Sequence, residues 1–197
     1  MARWEPNAPE RLSKAALELF AERGYENTTV IDIAQRAGLT KSTFFRHFQD
    51  KREVLFGGGT LAGLLAGAIA AAPASATPLE AVTHAMDAVG REAFTPDRRE
   101  YTALRRTVIA ANPELREREA LKGLALTAAM TGALEQRGVP QLTACVAAEL
   151  GALAMKIAYE RWSGTADAGF GEVARRALDE IQAAIAIEQS EPADRRQ

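Results

Sequence analysis

The sequence predicts an all-α chain of about nine helices. A three-helix N-terminal head containing a helix-turn-helix is joined by a fourth helix to a larger helical C-terminal domain. Three observations carry this expectation. β-branched and aromatic residues nowhere alternate over a strand length. Apolar residues instead recur three and four apart, in segments bounded by capping residues and glycines. The length of 197 residues, 47% of them hydrophobic, suits one large domain or two small ones.

Each element has its own signals. Leu12, Ala15, Ala16, Leu19 and Phe20 form one helical stripe, with Asn7 placed to cap the start and Gly24 to stop the helix. Thr29 caps a short second helix and Asp32 stands three residues on to reach back; Val30, Ile33, Ala34 and Ala37 are its apolar face. Gly38 ends it, Leu39 plugs the turn, and Thr40 caps a third helix from Lys41 to about Phe48. Asp50 and Glu53 form a D-x-x-E box at the start of a fourth helix. That helix carries Gly57, Gly58 and Gly59, each costing about 1 kcal/mol relative to Ala, so a kink or break is expected there. The stretch Ala71 to Pro78 is a loop. Further helices are expected over 79–93, 97–111, 113–137, 141–162 and 170–187, with Thr95 and Asn112 as caps before first-turn prolines. A polar tail closes the chain at 191–197.

Net charge is −2, so the chain as a whole is no polycation. The single cysteine, Cys145, allows no intramolecular disulfide, and its apolar neighbourhood predicts a buried thiol. The segment MARWEPNAPERLSK lacks the apolar run of a secretory signal. Residues 54–79 hold no charge, but Ala and Gly dominate them; a buried soluble helix is expected rather than a membrane span. Two histidines, His47 and His84, one cysteine and no phosphate loop leave little for an enzyme, a metal site or a cofactor, and none is expected.

The stretch AGLTKSTFFRHFQDK, beginning at Ala37, crowds aromatics and cations around one glycine turn. On a helical wheel Phe44 and Phe48 point together toward the first two helices. Ser42, Thr43 and Arg46 point away, with Phe45 and His47 flanking them. Helix, glycine turn, helix is the layout that sets a second helix in the DNA major groove. Residues 1–52 hold nine basic and seven acidic side chains, a net +2 that leaves −4 for the remainder. Positive charge therefore lies where phosphates would.

Here the resemblance becomes specific. The run TVIDIAQRAGLTKSTFFRHFQDKREVL, Thr29 to Leu55, resembles the DNA-binding region of the tetracycline-repressor-like (TetR) family of bacterial transcription regulators, and ALELFAERGYENTT before it resembles the family's first helix and loop. The resemblance implies that Thr28, Thr29, Phe45, His47 and Lys51 face the DNA backbone, with Arg36 nearby. It implies that Lys41, Ser42, Thr43 and Arg46 lie on or beside the base-reading surface. Phe45 departs from the family's usual tyrosine and has no hydroxyl for a phosphate. The division expected is a DNA-binding domain over 1–52 and a ligand-binding and dimerisation domain over 53–190.

The eighth helix is nearly apolar all round, with only Glu149 and Lys156 charged between Leu142 and Tyr159, so it must be covered on every side. With the ninth it suits a four-helix dimer bundle, for which Leu142, Ala148, Gly151, Ala152, Val173, Ala177, Ile181 and Ile185 are the expected contacts. The resemblance implies the same interface, and also a small-molecule pocket among the middle helices. Its candidate walls are Met86, Phe94, Tyr101, Leu104, Arg105, Met130, Leu134, Tyr159 and Trp162, with His84 a further polar candidate. The function implied is a cytoplasmic, homodimeric, ligand-responsive regulator, most simply a repressor on a palindromic operator. The alternatives are a DNA-binding protein tethered to a membrane through 54–79 and, last, an α-helical enzyme.

Overall fold

The computed structural model describes residues 7–57, 60–164 and 168–190. Among them the elements are all helical: α1 (Ala8–Arg23), α2 (Val30–Arg36), α3 (Lys41–His47), a 3-10 turn (Glu53–Leu55), α4 (Thr60–Ala71), α5 (Pro78–Glu92), a 3-10 turn (Pro96–Arg98), α6 (Arg99–Ala111), α7 (Pro113–Gln136), α8 (Gln141–Trp162) and α9 (Phe170–Ser190). The chain divides into two compact units. The first takes residues up to Thr60 together with Glu100–Lys122; the second takes Leu61–Arg99 and the chain from Gly123 onward.

In the first unit the whole predicted stripe of α1 is buried, and it packs with Ile33, Phe44, Phe48, Val54 and Leu55. Val108, Ile109 and Leu115 join the same core. The unit therefore continues beyond residue 52 and includes an α6–α7 segment that the helical wheel gives no reason to group with the head. Polar ties reinforce it. Ser13 Oγ donates to Val54 O at 2.7 Å, and the Tyr25 hydroxyl donates to Glu114 at 3.0 Å. Arg105 Nε donates to Leu55 O at 2.8 Å, and Arg118 pairs with Glu53 at 3.3 Å.

Several expectations about element ends need correction. Asn7 sits at the N-cap of α1 but in a left-handed conformation, with no capping bond from its side chain. Asp50 does accept from the Glu53 N–H at 3.0 Å, but the chain then makes one 3-10 turn rather than a long helix. The backbone turns left-handed at Gly57 (φ 50°) and α4 begins at Thr60; Gly58 and Gly59 lie outside the described residues. Thr95 makes no capping bond, and α6 starts at Arg99 after a 3-10 turn. The Asn112 amide donates back to Val108 O instead of capping α7. At α5 the structure adds a capping box, Thr77 with Glu80.

The second unit packs α5, α8 and α9 together, with Leu65, Ile69, Met130 and Leu134 completing the core. The charge-free run 54–79 is thus not one apolar helix. Its α4 portion has 12 residues, a rise of about 18 Å against a hydrocarbon core of about 30 Å. Among the described helices α8 alone is long and apolar enough to cross a membrane. Its small residues Ala144, Ala147, Ala148, Gly151, Ala154 and Ala158 are buried against neighbouring helices.

That burial also corrects half of the expected dimer surface. Ala148, Gly151, Val173 and Ala177 are already covered inside their own chain. At Gly151 a Cβ would stand 2.4 Å from the Val82 side chain, so glycine is there for close helix approach. Ala152 and Ile181 are half-buried, whereas Leu142 (77% exposed) and Ile185 face solvent. Val146 and Leu153, which the helical pattern does not single out, are exposed on α8, and so is Cys145, contrary to the buried thiol expected.

Candidate nucleic-acid interface

The interface is built from its turn. Thr29 accepts from the Asp32 N–H at 3.2 Å while the Asp32 carboxylate accepts from the Thr29 N–H at 2.9 Å, which fixes the start of α2. The Thr29 hydroxyl and N–H, with Arg23 at 2.8 Å, hold the Asp32 carboxyl down at about 2. At the other end Gly38 takes φ 67°, where an L side chain is strained. Arg11 reaches across from α1 and donates to Ala37 O at 2.5 Å, pinning the turn to the first helix. Thr40 then caps α3 by accepting from the Thr43 N–H at 3.2 Å.

α3 separates its side chains as the wheel predicts. Phe44 and Phe48 are buried with ring centroids 5.5 Å apart. Lys41, Ser42, Phe45, Arg46 and His47 are exposed, and Thr43 is half-exposed. The Phe45 ring is 49% exposed, with Lys41 Nζ 5.8 Å from its centroid. The Thr40 hydroxyl lies 2.8 Å from that of Ser42 and 3.0 Å from that of Thr43, forming a small polar cluster at the start of α3. Among the described residues Lys41, Arg46 and His47 have no carboxylate partner.

The remaining candidates are placed differently. Thr28 is buried and its hydroxyl donates to Gly24 O at 2.9 Å, so its side chain is a structural piece of the α1–α2 loop and not part of the exposed surface. Thr29 is exposed beside it, its hydroxyl bonded to Asp32. Arg36 is held by both oxygens of Glu22, at 2.9 and 2.7 Å, with Glu18 at 3.6 Å. The bond to Glu22 raises the Arg36 pKa and lowers that of Glu22. Lys51 is half-buried. Its Nζ donates to Tyr25 O at 2.8 Å and lies 3.9 Å from the Tyr25 ring centroid. Burial, then the bond to Glu114, pushes the Tyr25 phenol well above its usual range, so it stays a neutral donor. Arg11, Glu22 and Tyr25 are supporting residues that motif reading does not reveal. The signal for two of them is position: Arg11 and Glu22 flank the buried stripe of α1, at its edge with α2.

The candidate pocket walls are divided between the two units. Tyr101, Leu104 and Arg105 belong to the first, where Leu104 is exposed and Arg105 bonds Leu55 O and Glu119. Met86, Met130 and Leu134 are solid core of the second. Phe94, Tyr159 and Trp162 do meet there, with Phe94 edge-on to both and Phe170 as a fourth ring. His84 is exposed.

A helix held by buried phenylalanines, with an outer face of hydroxyls, an aromatic ring and cations that lack a carboxylate partner among the described residues, has the layout of the second helix of a helix-turn-helix. Residues 12–56 match the sequence profile of bacterial regulatory proteins, tetR family. The chain is 41% identical over 81 residues to the HTH-type transcriptional regulator TcmR of Streptomyces glaucescens, a match covering 41% of this chain and 36% of that protein. It is 37% identical over 46 residues to the HTH-type transcriptional regulator HbdR of an Aromatoleum species, covering 23% and 20%. The chain thus spans little more than a third of the length of such curated relatives at most. Its fold is similar to that of a transcriptional regulator from Aquifex aeolicus VF5, at TM-score 0.51 and 16% identity, over 89% of this chain and 98% of the other.

Proposed function

We propose that the chain acts in the cytoplasm as a homodimer that holds a palindromic double-stranded operator through α3, most simply as a repressor, and that a small-molecule ligand releases it. The observation that carries this reading is the outer face of α3, where Lys41, Arg46 and His47 are exposed beside Ser42 and Thr43 while Phe44 and Phe48 anchor the helix behind them. Lys41, Ser42, Thr43 and Arg46 read base edges. Thr29, Phe45, His47 and Lys51 meet the backbone, Phe45 by packing alone. Lys51 keeps donors to spare after its bond to Tyr25 O, since an ammonium has three.

A single short helix reads few base pairs, and dimers match half-sites about 34–36 Å apart. The exposed apolar side chains of α8, Leu142, Val146 and Leu153, together with Ile185 of α9, support a second copy as partner. Release by ligand requires unequal affinity for the DNA-bound and free states. The experiment is a footprint on DNA flanking the chain's own gene, with sedimentation of the complex. Two protected halves related by symmetry and a stoichiometry of two chains are expected. A single protected half, or one chain per site, would remove the dimeric reading.

A further inference from the structure

Two buried donors in the second unit lack an acceptor. The indole Nε1 of Trp162, a side chain 1% exposed, and Nη1 of Arg99 are both shut off from solvent and have no hydrogen-bond partner among the described residues. They belong to one assembly. The Arg99 guanidinium lies 4.7 Å from the Trp162 ring centroid, and its other amino group, Nη2, donates to Ala168 O at 3.0 Å. Behind the indole, Phe94 stacks on Phe170 at 4.1 Å, and both meet Trp162 edge-on at 5.8 and 6.0 Å. Among the described residues no carboxylate pairs with Arg99.

Native interiors rarely leave such groups unpaired, and a largely covered cation without a counter-ion is rarer still. A water fits the arrangement poorly. Its own two protons would need acceptors, and beside the donors and aromatic rings the one acceptor at hand is Ala168 O, which already accepts from Arg99 Nη2. A phosphate brings two charges and three oxygens to one cation and two donors. A carboxylate matches: it accepts only, carries one charge, and has two oxygens for two N–H groups. Arg99 is partly exposed, so part of its side chain reaches solvent while Nη1 stays covered.

We infer that Arg99 and Trp162 receive the carboxylate of a small organic monoanion whose apolar body lies against the surrounding aromatic edges. This rests on the reading of the chain as ligand-responsive and names the chemical class of that ligand.

The test uses the full chain. There are two tryptophans, so Trp4→Phe makes Trp162 the sole indole. Its emission is followed during titration with benzoate, with hexanoate, and with benzamide as the neutral match to benzoate. A saturable change is expected with a carboxylate and none with benzamide. Arg99→Gln should raise the Kd at least about tenfold, as loss of a charge-assisted bond does, and Arg99→Lys should restore part of the affinity. Should Arg99→Gln fail to fold, Trp162→Phe keeps a ring and loses Nε1, and calorimetry should then show weaker carboxylate binding. Equal binding of benzamide, unchanged affinity in Arg99→Gln, or no binding of either carboxylate would overturn the site. Operator affinity is measured alongside. Carboxylate binding that leaves it unchanged would support the site and count against ligand-released regulation, so the two failures are distinguishable.

Discussion

Gly38→Ala tests whether the α2–α3 turn is set by backbone conformation and sealed by Arg11. Gly38 has φ 67°, which costs an L-residue roughly 1–2 kcal/mol. A Cβ there would stand 2.9 Å from Arg11 Nη2, the atom that donates to Ala37 O. The side chain can swing away, but it then gives up that bond. Arg11 is half-buried and water can replace it, so about 1 kcal/mol is a fair share. The total is about 2–3 kcal/mol, large against a typical stability of about 5–15 kcal/mol. The assay is a double-mutant cycle of Gly38→Ala with Arg11→Ala, read by urea unfolding and by operator anisotropy. Because the Arg11 bond can be lost only once, the pair should fall short of additivity by about 1 kcal/mol. Gly38→Asn should cost less than Ala, since Asn tolerates the left-handed region. If Gly38→Ala costs under about 0.5 kcal/mol the backbone argument fails; if the two changes add strictly, the Arg11 contact plays no part.

Three further outcomes are expected. Arg46→Ala should cost about 1–3 kcal/mol per half-site and relax preference at particular base pairs in a library of operator variants; uniform loss would make Arg46 a backbone contact. Asp32 titrates at about 2 instead of 3.8, so its contribution to stability is present above about pH 4 and disappears as pH falls through about 2. Asp32→Asn should therefore flatten acid unfolding in that window, and an unchanged acid limb would count against the capping box. Leu142→Glu with Val146→Glu should give monomers in sedimentation without lowering the melting temperature of the chain, because both side chains are exposed in the single chain; an intact dimer would exclude this face of α8.

Periodicity is the reliable local signal in the sequence, whereas single caps are not: Asn7, Thr95 and Asn112 cap nothing with their side chains, and the Asp50–Glu53 box opens only a 3-10 turn. The α1 stripe, the Thr29–Asp32 box, the Gly38 turn and the bounds of α8 depend on residues within one helix of each other, and those are what periodicity and capping encode. The remaining errors lie where distant segments decide. Ala148 and Gly151 look like a dimer seam because small residues permit close approach, but smallness does not say whose helix approaches, and at Gly151 it is Val82 of α5. Thr28 looks like a phosphate contact, yet its hydroxyl completes the α1–α2 loop. Leu142 stands out in the sequence while Val146 and Leu153 do not, because an all-apolar circumference does not reveal which part of it the chain's own core leaves open. The orphaned nitrogens of Arg99 and Trp162 have no sequence signature: they become visible only when folding brings the two side chains together.

Charge in the head shows how pairing turns a weak overall bias into a local one. A net +2 over residues 1–52 is too small to direct a helix onto DNA by itself. However, the acidic residues are not spread evenly. None occurs between Asp32 and Asp50, the interval that contains the turn and all of α3. Away from α3 several cations are already committed: Arg23 to Asp32, Arg36 to Glu22 and Glu18, Arg52 to Asp50. Lys41 and Arg46 are left with their charge unneutralised on the exposed face of α3. On the proposed reading these two charges act on the DNA at short range, since a Debye length of about 8 Å at physiological salt screens the paired groups farther back. Arg36 could join them only by giving up its two-oxygen bond to Glu22, so on the proposed reading it is expected to contribute little. On the proposed reading the cations free for DNA are those without a carboxylate partner, and the sequence alone, in which all nine count alike, could not separate them.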